Sequence, residues 1–89
     1  MYYAYVAQSK KEASYLYKGH CENLQVRLQQ HNAGQTKSNR PFIPLRIIYY
    51  EAFVTVEDAI KCEKYWKTAA GRKYIKRVLI TGPVVQWIE

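Results

Sequence analysis

The chain has 89 residues, of which 48% are hydrophobic and 24% charged, and its formal net charge is +7. This balance is typical of one globular domain and excludes a disordered chain. No apolar run approaches the ~20 residues of a membrane-spanning helix, and no secretory signal opens the sequence, so we expect a cytoplasmic protein. The excess of positive charge favours a polyanionic partner, although charge alone does not choose between DNA, RNA and an anionic membrane surface.

Apolar spacing and turn residues predict the elements in chain order. Strands are expected at residues 2–8 and 14–19, and a helix at 22–32 that Asn32 and Gly34 end. A polar loop at 33–44 precedes a long strand at 45–54, whose apolar residues on both faces predict a central position in the sheet. Thr55 begins a helix that runs to about residue 66, and a basic helix follows at 71–79.

This order of elements predicts an α/β (α+β) fold: a small, three-stranded, mostly antiparallel sheet flanked by helices in the order β-β-α-β-α. We expect one domain over residues 1–79 and a C-terminal tail over residues 80–89. The tail contains Gly82-Pro83 and then four large apolar residues. It either packs on the domain or offers an interface for a protein partner or for self-association.

The two cysteines, Cys21 and Cys62, are far apart and form no CxxC pattern. We interpret them as free thiols in a reducing compartment. With His20 and His31 they are all the cysteines and histidines of the chain. A zinc site built from these four residues is the less favoured alternative, because their spacing matches no familiar zinc pattern.

Glu63 stands out of place in the second predicted helix. The core-facing stripe of that helix runs through Val56, Ala59, Ile60, position 63 and Trp66, so a carboxylate occupies a position where an apolar residue is expected. Such a charge is costly unless it is paired or bound to a cation. Two alternatives follow: an ion pair with a Lys or Arg such as Arg27, or a ligand for a hard cation.

Several short motifs occur along the chain in one order. The first is Tyr3-Ala4-Tyr5 and the second is Tyr17-Lys18-Gly19. The helix at 22–32 contains Arg27 and ends with His31-Asn32. The last motifs are Arg40-Pro41, Tyr49-Tyr50-Glu51 and the stretch at 59–64 that contains Glu63.

In this order and spacing the chain resembles a GIY-YIG nuclease domain, of the small stand-alone type related to the N-terminal domain of the UvrC excision-repair nuclease. The resemblance covers roughly residues 2–76. Tyr3, Ala4 and Lys18 depart from the residues that give the family its name. Ile75 lies near the place where many family nucleases carry an asparagine.

The resemblance implies metal-dependent hydrolysis of a phosphodiester bond. Glu63 would hold one divalent cation, Mg²⁺ or Mn²⁺, and Arg27 would stabilise the charge of the transition state. Tyr5 and Tyr17 would flank the attacking water, one of them as general base, and His31 would assist proton transfer or orient a tyrosine. These five residues are expected to converge on one concave surface.

The resemblance also implies a partner and a role. The partner would be nucleic acid, DNA in the first instance and not a membrane, and the role would lie in repair or recombination. Backbone phosphates would contact a set of basic residues: Lys18, Lys37, Arg40, Arg72, Lys73 and Lys76. Two alternatives remain open, a catalytically weak nucleic-acid-binding module on the same scaffold and a protein-interaction domain that uses the apolar tail.

Overall fold

The computed structural model describes residues 1–81. Three strands, β1 (Tyr2–Ser9), β2 (Leu16–Cys21) and β3 (Leu45–Phe53), form one sheet. The helices are α1 (Leu24–Asn32), α2 (Val56–Trp66) and α3 (Ala69–Thr81), and a 3₁₀ helix (Lys37–Phe42) lies between α1 and β3. The predicted fold class is therefore confirmed: a three-stranded antiparallel sheet with flanking helices.

The strand order is β2-β1-β3, so β1 and not β3 is central, and the predicted central position of the third strand is wrong. Residues 4–7 of β1 are 0% exposed. The strand β3 is apolar on both faces because helices cover both faces of this sheet. The pairing of β1 with β3 changes register between Val6 and Ala7, which pair with Tyr49 and Ile47. Ile48 therefore has no partner in β1, and it packs on the same face of the sheet as Tyr49.

Each face of the sheet packs a separate apolar cluster. On the first face, Leu24 and Leu28 of α1 pack on Tyr5, Ala7 and Ile47. On the second face, Trp66 of α2 and Ile75 of α3 pack on Ala4, Val6 and Ile48. Alternate side chains of one strand therefore pack against helices on opposite faces of the sheet. This alternation determines on which face each candidate site residue of a strand lies.

Side-chain caps fix where two helices begin. The Asn23 side chain accepts a hydrogen bond from the Val26 amide at 3.0 Å, so α1 begins at Leu24, two residues later than predicted. The Thr55 hydroxyl accepts from the Asp58 amide at 3.2 Å, which confirms the predicted start of α2. These bonds satisfy amides that have no partner inside the helix.

The 3₁₀ helix is the element that the sequence did not predict, because its proline and polar residues are typical of a loop. Its end packs on the hairpin, where the rings of Tyr15 and Phe42 stack with centroids 3.8 Å apart. Its middle is anchored by Asn39, which is fully buried. The segment therefore closes over the first face of the sheet.

The helix α3 ends at Thr81, two residues beyond the predicted end. The predicted tail at 80–89 lies mostly outside the described residues, which end at 81. No helix of residues 1–81 is long and apolar enough to cross a bilayer.

Candidate active site

Two tyrosines from neighbouring strands meet on the first face of the sheet. Tyr5 of β1 pairs with Gly19 of β2, and the rings of Tyr5 and Tyr17 lie with centroids 6.3 Å apart. A Cβ atom at position 19 would lie 2.7 Å from the Tyr5 hydroxyl oxygen and 3.0 Å from Cε2 of Tyr17. Glycine is therefore required at this position because the Tyr5 phenol lies directly over the backbone.

His31 joins this pair of tyrosines from α1. Its Nε2 lies 2.6 Å from the Tyr5 hydroxyl, and its ring meets the Tyr17 ring edge-on at 4.9 Å between centroids. Its other nitrogen, Nδ1, lies 2.8 Å from Nδ2 of Asn39. Burial, together with the positive charge of Arg27, lowers the pKa of His31 from 6.5 to about 4, so the ring is neutral at pH 7.

Arg27 lies one helical turn before His31 and completes this cluster. Its guanidinium donates to Gln30 at 3.1 Å and to Thr36 at 3.4 Å. Burial acts to lower the pKa of Arg27, but its hydrogen bonds and charge interactions with Tyr5 and Tyr17 outweigh burial and raise it. Burial raises the pKa of Tyr5 despite the opposing effect of Arg27, so Tyr5 keeps its proton at neutral pH. We call Tyr5, Tyr17, Arg27 and His31 the tyrosine cluster.

Glu63 forms its hydrogen bonds with residues outside the tyrosine cluster, and the expectation that all five residues share one surface stays a prediction. Glu63 lies on α2, which packs on the second face of the sheet, and its carboxylate contacts His20 of β2. His20 follows Gly19, so the two residues point to opposite faces of β2. Because β2 is an edge strand of the described sheet, the tyrosine cluster and Glu63 lie on the two flanks of one sheet edge.

The carboxylate of Glu63 has two cationic or polar neighbours. His20 Nδ1 lies 2.6 Å from Oε1, and the Lys67 ammonium lies 2.6 Å from Oε2. Burial acts to raise the pKa of Glu63, but the hydrogen bonds from Lys67 and His20 outweigh it and lower the pKa below its usual value. Glu63 is therefore paired with Lys67 and His20, and not with Arg27, which was one of the partners considered from the sequence.

The predicted nucleic-acid-binding residues fall into three groups. Lys18 lies on β2, and burial, together with the positive charges of Arg72 and Lys67, lowers its pKa. Arg72 donates to the Lys67 carbonyl oxygen at 3.1 Å, so Lys18, Lys67 and Arg72 form a basic group beside Glu63. Lys37 and Arg40 lie on the exposed side of the 3₁₀ helix, on the flank of the tyrosine cluster. The exposed Lys73 and Lys76 lie on α3.

The zinc alternative finds no support in residues 1–81, where no group of three or more His, Cys, Asp or Glu residues could hold a metal ion. Cys21 packs against the first apolar cluster and Cys62 against the second, on opposite faces of the sheet. Burial raises the pKa of Cys21 to about 11 and that of Cys62 to about 12, so both thiols stay protonated. Both cysteines are free, as predicted.

Two residues that contact the candidate site were missed from the sequence. Lys67 stands four residues after Glu63, and this spacing is itself the signal of an ion pair along a helix. Asn39 lies in a segment without periodicity, next to Arg40-Pro41, and no local pattern marks it as buried. Its contact with His31 depends on the path of the chain after α1.

Comparison with known proteins identifies the family of this chain. The family described as the GIY-YIG catalytic domain matches residues 1–75, and the chain therefore belongs to the GIY-YIG family. Membership implies endonuclease activity and nucleic-acid binding.

The similar proteins are small and carry the name UPF0213. A UPF0213 protein of Lactiplantibacillus plantarum is 39% identical over 83 residues, which cover 83% of this chain and 77% of that protein. One from Pediococcus acidilactici is 33% identical, over 79% of this chain and 74% of its own length. One from Staphylococcus saprophyticus is 32% identical, over 86% and 93% respectively. No solved structure matches the chain.

Proposed function

We propose that the protein is a divalent-metal-dependent endonuclease that hydrolyses phosphodiester bonds of DNA, in the cytoplasm and in repair or recombination. The catalytic unit is the domain at residues 1–79. The observation that carries the proposal is the tyrosine cluster, where two phenols, a neutral imidazole and a guanidinium lie together on the first face of the sheet. A cationic group beside phenols is suited to bind a phosphate and stabilise its developing charge.

The cation that the family implies fits the chemistry of Glu63. The lowered pKa keeps its carboxylate ionised, and carboxylate oxygen is the donor type that Mg²⁺ and Mn²⁺ accept. Mg²⁺ commonly binds through one or two carboxylates while water and substrate phosphates supply its other ligands, so a single Glu63 is a sufficient protein ligand. The bound ion would polarise the phosphate and neutralise developing charge.

Occupation of this site requires Glu63 to release a present partner. Lys67 is the partner suited to leave, because its side chain is 55% exposed whereas that of Glu63 is 15% exposed. A released Lys67 ammonium stays within the basic group with Lys18 and Arg72, where a nucleic-acid phosphate would offset the mutual repulsion of the three cations.

The two tyrosines have different roles in this proposal. Tyr5 is fully buried, and its raised pKa makes it a poor proton acceptor at neutral pH. Tyr17 is partly exposed and lies close to Arg27, so it is the phenol that faces an entering substrate. We therefore assign Tyr17 as the proton acceptor for the attacking water and Tyr5 as a hydrogen-bonding partner of His31.

The nucleic acid would cross the edge of the sheet at β2. On one flank it would contact Tyr17 and Arg27, and on the other Glu63 and the basic group. Lys37, Arg40, Lys73 and Lys76 would add contacts to more distant phosphates. On this path, groups from both faces of the sheet would act on one phosphodiester.

A catalytically weak nucleic-acid-binding module is the second candidate. It is favoured by the occupied carboxylate of Glu63 and by Ile75, which is 1% exposed in the second apolar cluster where many family nucleases carry an asparagine. The two candidates share the basic surface, so binding alone does not separate them.

The Glu63→Gln variant separates the two candidates. The amide keeps the shape of the side chain but loses the charge that attracts a divalent ion, so cleavage should fall by more than about 100-fold while DNA binding persists. The Glu57→Gln variant is the matched control, because it removes the same charge from an exposed position of the same helix.

The proposal fails if Glu63→Gln cuts as fast as the parent. If Glu63 is only the ion-pair partner of Lys67 and His20, the change should lower the melting temperature without a specific loss of cleavage. Cleavage, Mg²⁺ affinity and melting temperature are therefore measured on both variants.

A further inference from the structure

We propose that Asn39 is a positioning residue that holds His31 in the tautomer with its proton on Nε2, so that His31 donates a hydrogen bond to the Tyr5 hydroxyl oxygen. The tautomer is inferred from the atoms that face the two nitrogens of the imidazole ring. Its consequence for cleavage rests on the proposed function.

The direction of the first hydrogen bond fixes the direction of the second. Nδ2 of Asn39 lies 2.8 Å from Nδ1 of His31, and an amide nitrogen can only donate. Nδ1 of His31 must therefore be the acceptor and carry no proton. In a neutral ring the single proton then lies on Nε2, which is 2.6 Å from the Tyr5 hydroxyl oxygen and donates to it.

Burial makes this arrangement costly to change. The side chains of Tyr5, His31 and Asn39 are 0% exposed, so no bulk water replaces a lost partner. Oδ1 of Asn39 is a buried atom that lacks a hydrogen-bond partner among the described residues.

The tautomer determines what Tyr5 can do. The Tyr5 oxygen accepts from His31 and interacts with Arg27. With its proton on Nε2, His31 does not accept the Tyr5 proton, and Tyr5 acts as the hydrogen-bond acceptor of His31. This role leaves proton acceptance to Tyr17 and makes Asn39, through His31, responsible for the orientation of the Tyr5 hydroxyl.

Nitrogen NMR of the ¹⁵N-labelled full chain tests the proposal directly, because protonated and unprotonated imidazole nitrogens have well-separated chemical shifts. In the parent at pH 7 we expect an unprotonated Nδ1 and a protonated Nε2 for His31. In Asn39→Asp the carboxylate can only accept, so Nδ1 should become protonated. Under the proposed function the kcat for DNA cleavage should fall about tenfold to 100-fold with KM nearly unchanged.

The Asn32→Asp variant is the matched control on α1. Asn32 accepts from the Leu45 amide at 2.7 Å and donates to the Leu45 carbonyl at 3.1 Å, so the change should lower stability but leave the His31 signals in place.

A parent spectrum with the proton on Nδ1 overturns the proposal, and this result does not require Asn39→Asp to fold. An unchanged Nδ1 signal in folded Asn39→Asp also overturns it. Absence of cleavage in the parent would refute the proposed function while the tautomer assignment stands.

Discussion

At the scale of single residues, the candidate site is built from close contacts that leave little freedom. Tyr5 lies between the Gly19 backbone on one side and His31 on the other. Asn39 holds the far nitrogen of His31, and Thr36 holds the Arg27 guanidinium. Groups with this many fixed partners are already oriented before substrate binds, which lowers the cost of reaching a reactive geometry.

The Gly19→Ala variant tests the close approach of Tyr5 to the strand. The added methyl would lie 2.7 Å from the Tyr5 hydroxyl oxygen, so the buried ring must move, and we expect a loss of about 1–3 kcal/mol in unfolding free energy. Cleavage should fall as well, because the movement breaks the contact with His31. Thermal unfolding and cleavage rates measure both effects.

Lys18→Ala is the control for the change in stability, since it alters the adjacent residue on the other face of β2 without a clash. Equal melting temperatures for parent and Gly19→Ala would contradict the geometry of the tyrosine cluster.

The buried neutral His31 makes stability depend on pH. Its pKa is about 4 in the folded chain, against 6.5 for an unperturbed histidine, so between these values the unfolded state binds more protons. The free energy of unfolding should therefore decrease as pH falls from about 7 to 4, with His31 contributing up to about 3 kcal/mol. Chemical denaturation across this range measures the slope.

The His31→Gln variant should lose this part of the slope. Gln29→Ala serves as the control, because Gln29 is exposed on the same helix and does not titrate. Identical slopes for the parent and His31→Gln would show that His31 is not held neutral by burial.

At the scale of elements, the sequence predicts each strand and each α-helix but not where strands lie in the sheet. The Thr55 cap is a local signal, and it predicts the start of α2 correctly. The edge position of β3 depends on which strands pair, and its apolar pattern reflects helices on both faces rather than a central place. The 3₁₀ helix was missed because Asn39 and Phe42 are buried by tertiary contacts, which the spacing of apolar residues in the sequence does not predict.

The difference between local sequence patterns and the path of the chain also determines how much of the site could be predicted. Tyr5, Tyr17, Arg27 and His31 share a face because strand alternation and helix spacing are regular, and the structure brings them together. Glu63 was correctly identified as a half-buried carboxylate, but its placement opposite the tyrosines follows from α2 crossing the second face. That crossing is a property of the chain path.

The basic group beside Glu63 makes a prediction about α3. If Arg72 contacts a phosphate, Arg72→Ala should weaken DNA binding and lower the slope of log affinity against log salt by about one unit. Lys61→Ala removes the same charge from an exposed position of α2 and should leave the slope unchanged. Titrations at several salt concentrations measure both slopes, and equal effects of the two changes would argue against a defined phosphate contact.

At the scale of the whole molecule, a net charge of +7 on 89 residues gives the domain a general attraction to polyanions. This attraction does not by itself distinguish an endonuclease from a binding module. What distinguishes them is the combination of the tyrosine cluster with an ionised carboxylate on the other flank of the same edge strand. Under the proposed function, catalysis by this arrangement requires a divalent ion.

The measurement that tests this claim most directly is a cleavage assay of the parent protein on branched, nicked, single-stranded and duplex DNA. Each substrate is incubated with Mg²⁺, with Mn²⁺ and with a chelator. We predict phosphodiester cleavage of at least one substrate with Mg²⁺ or Mn²⁺ and none with the chelator. Cleavage that persists in the chelator, or no cleavage of any substrate with either ion, would contradict a metal-dependent endonuclease.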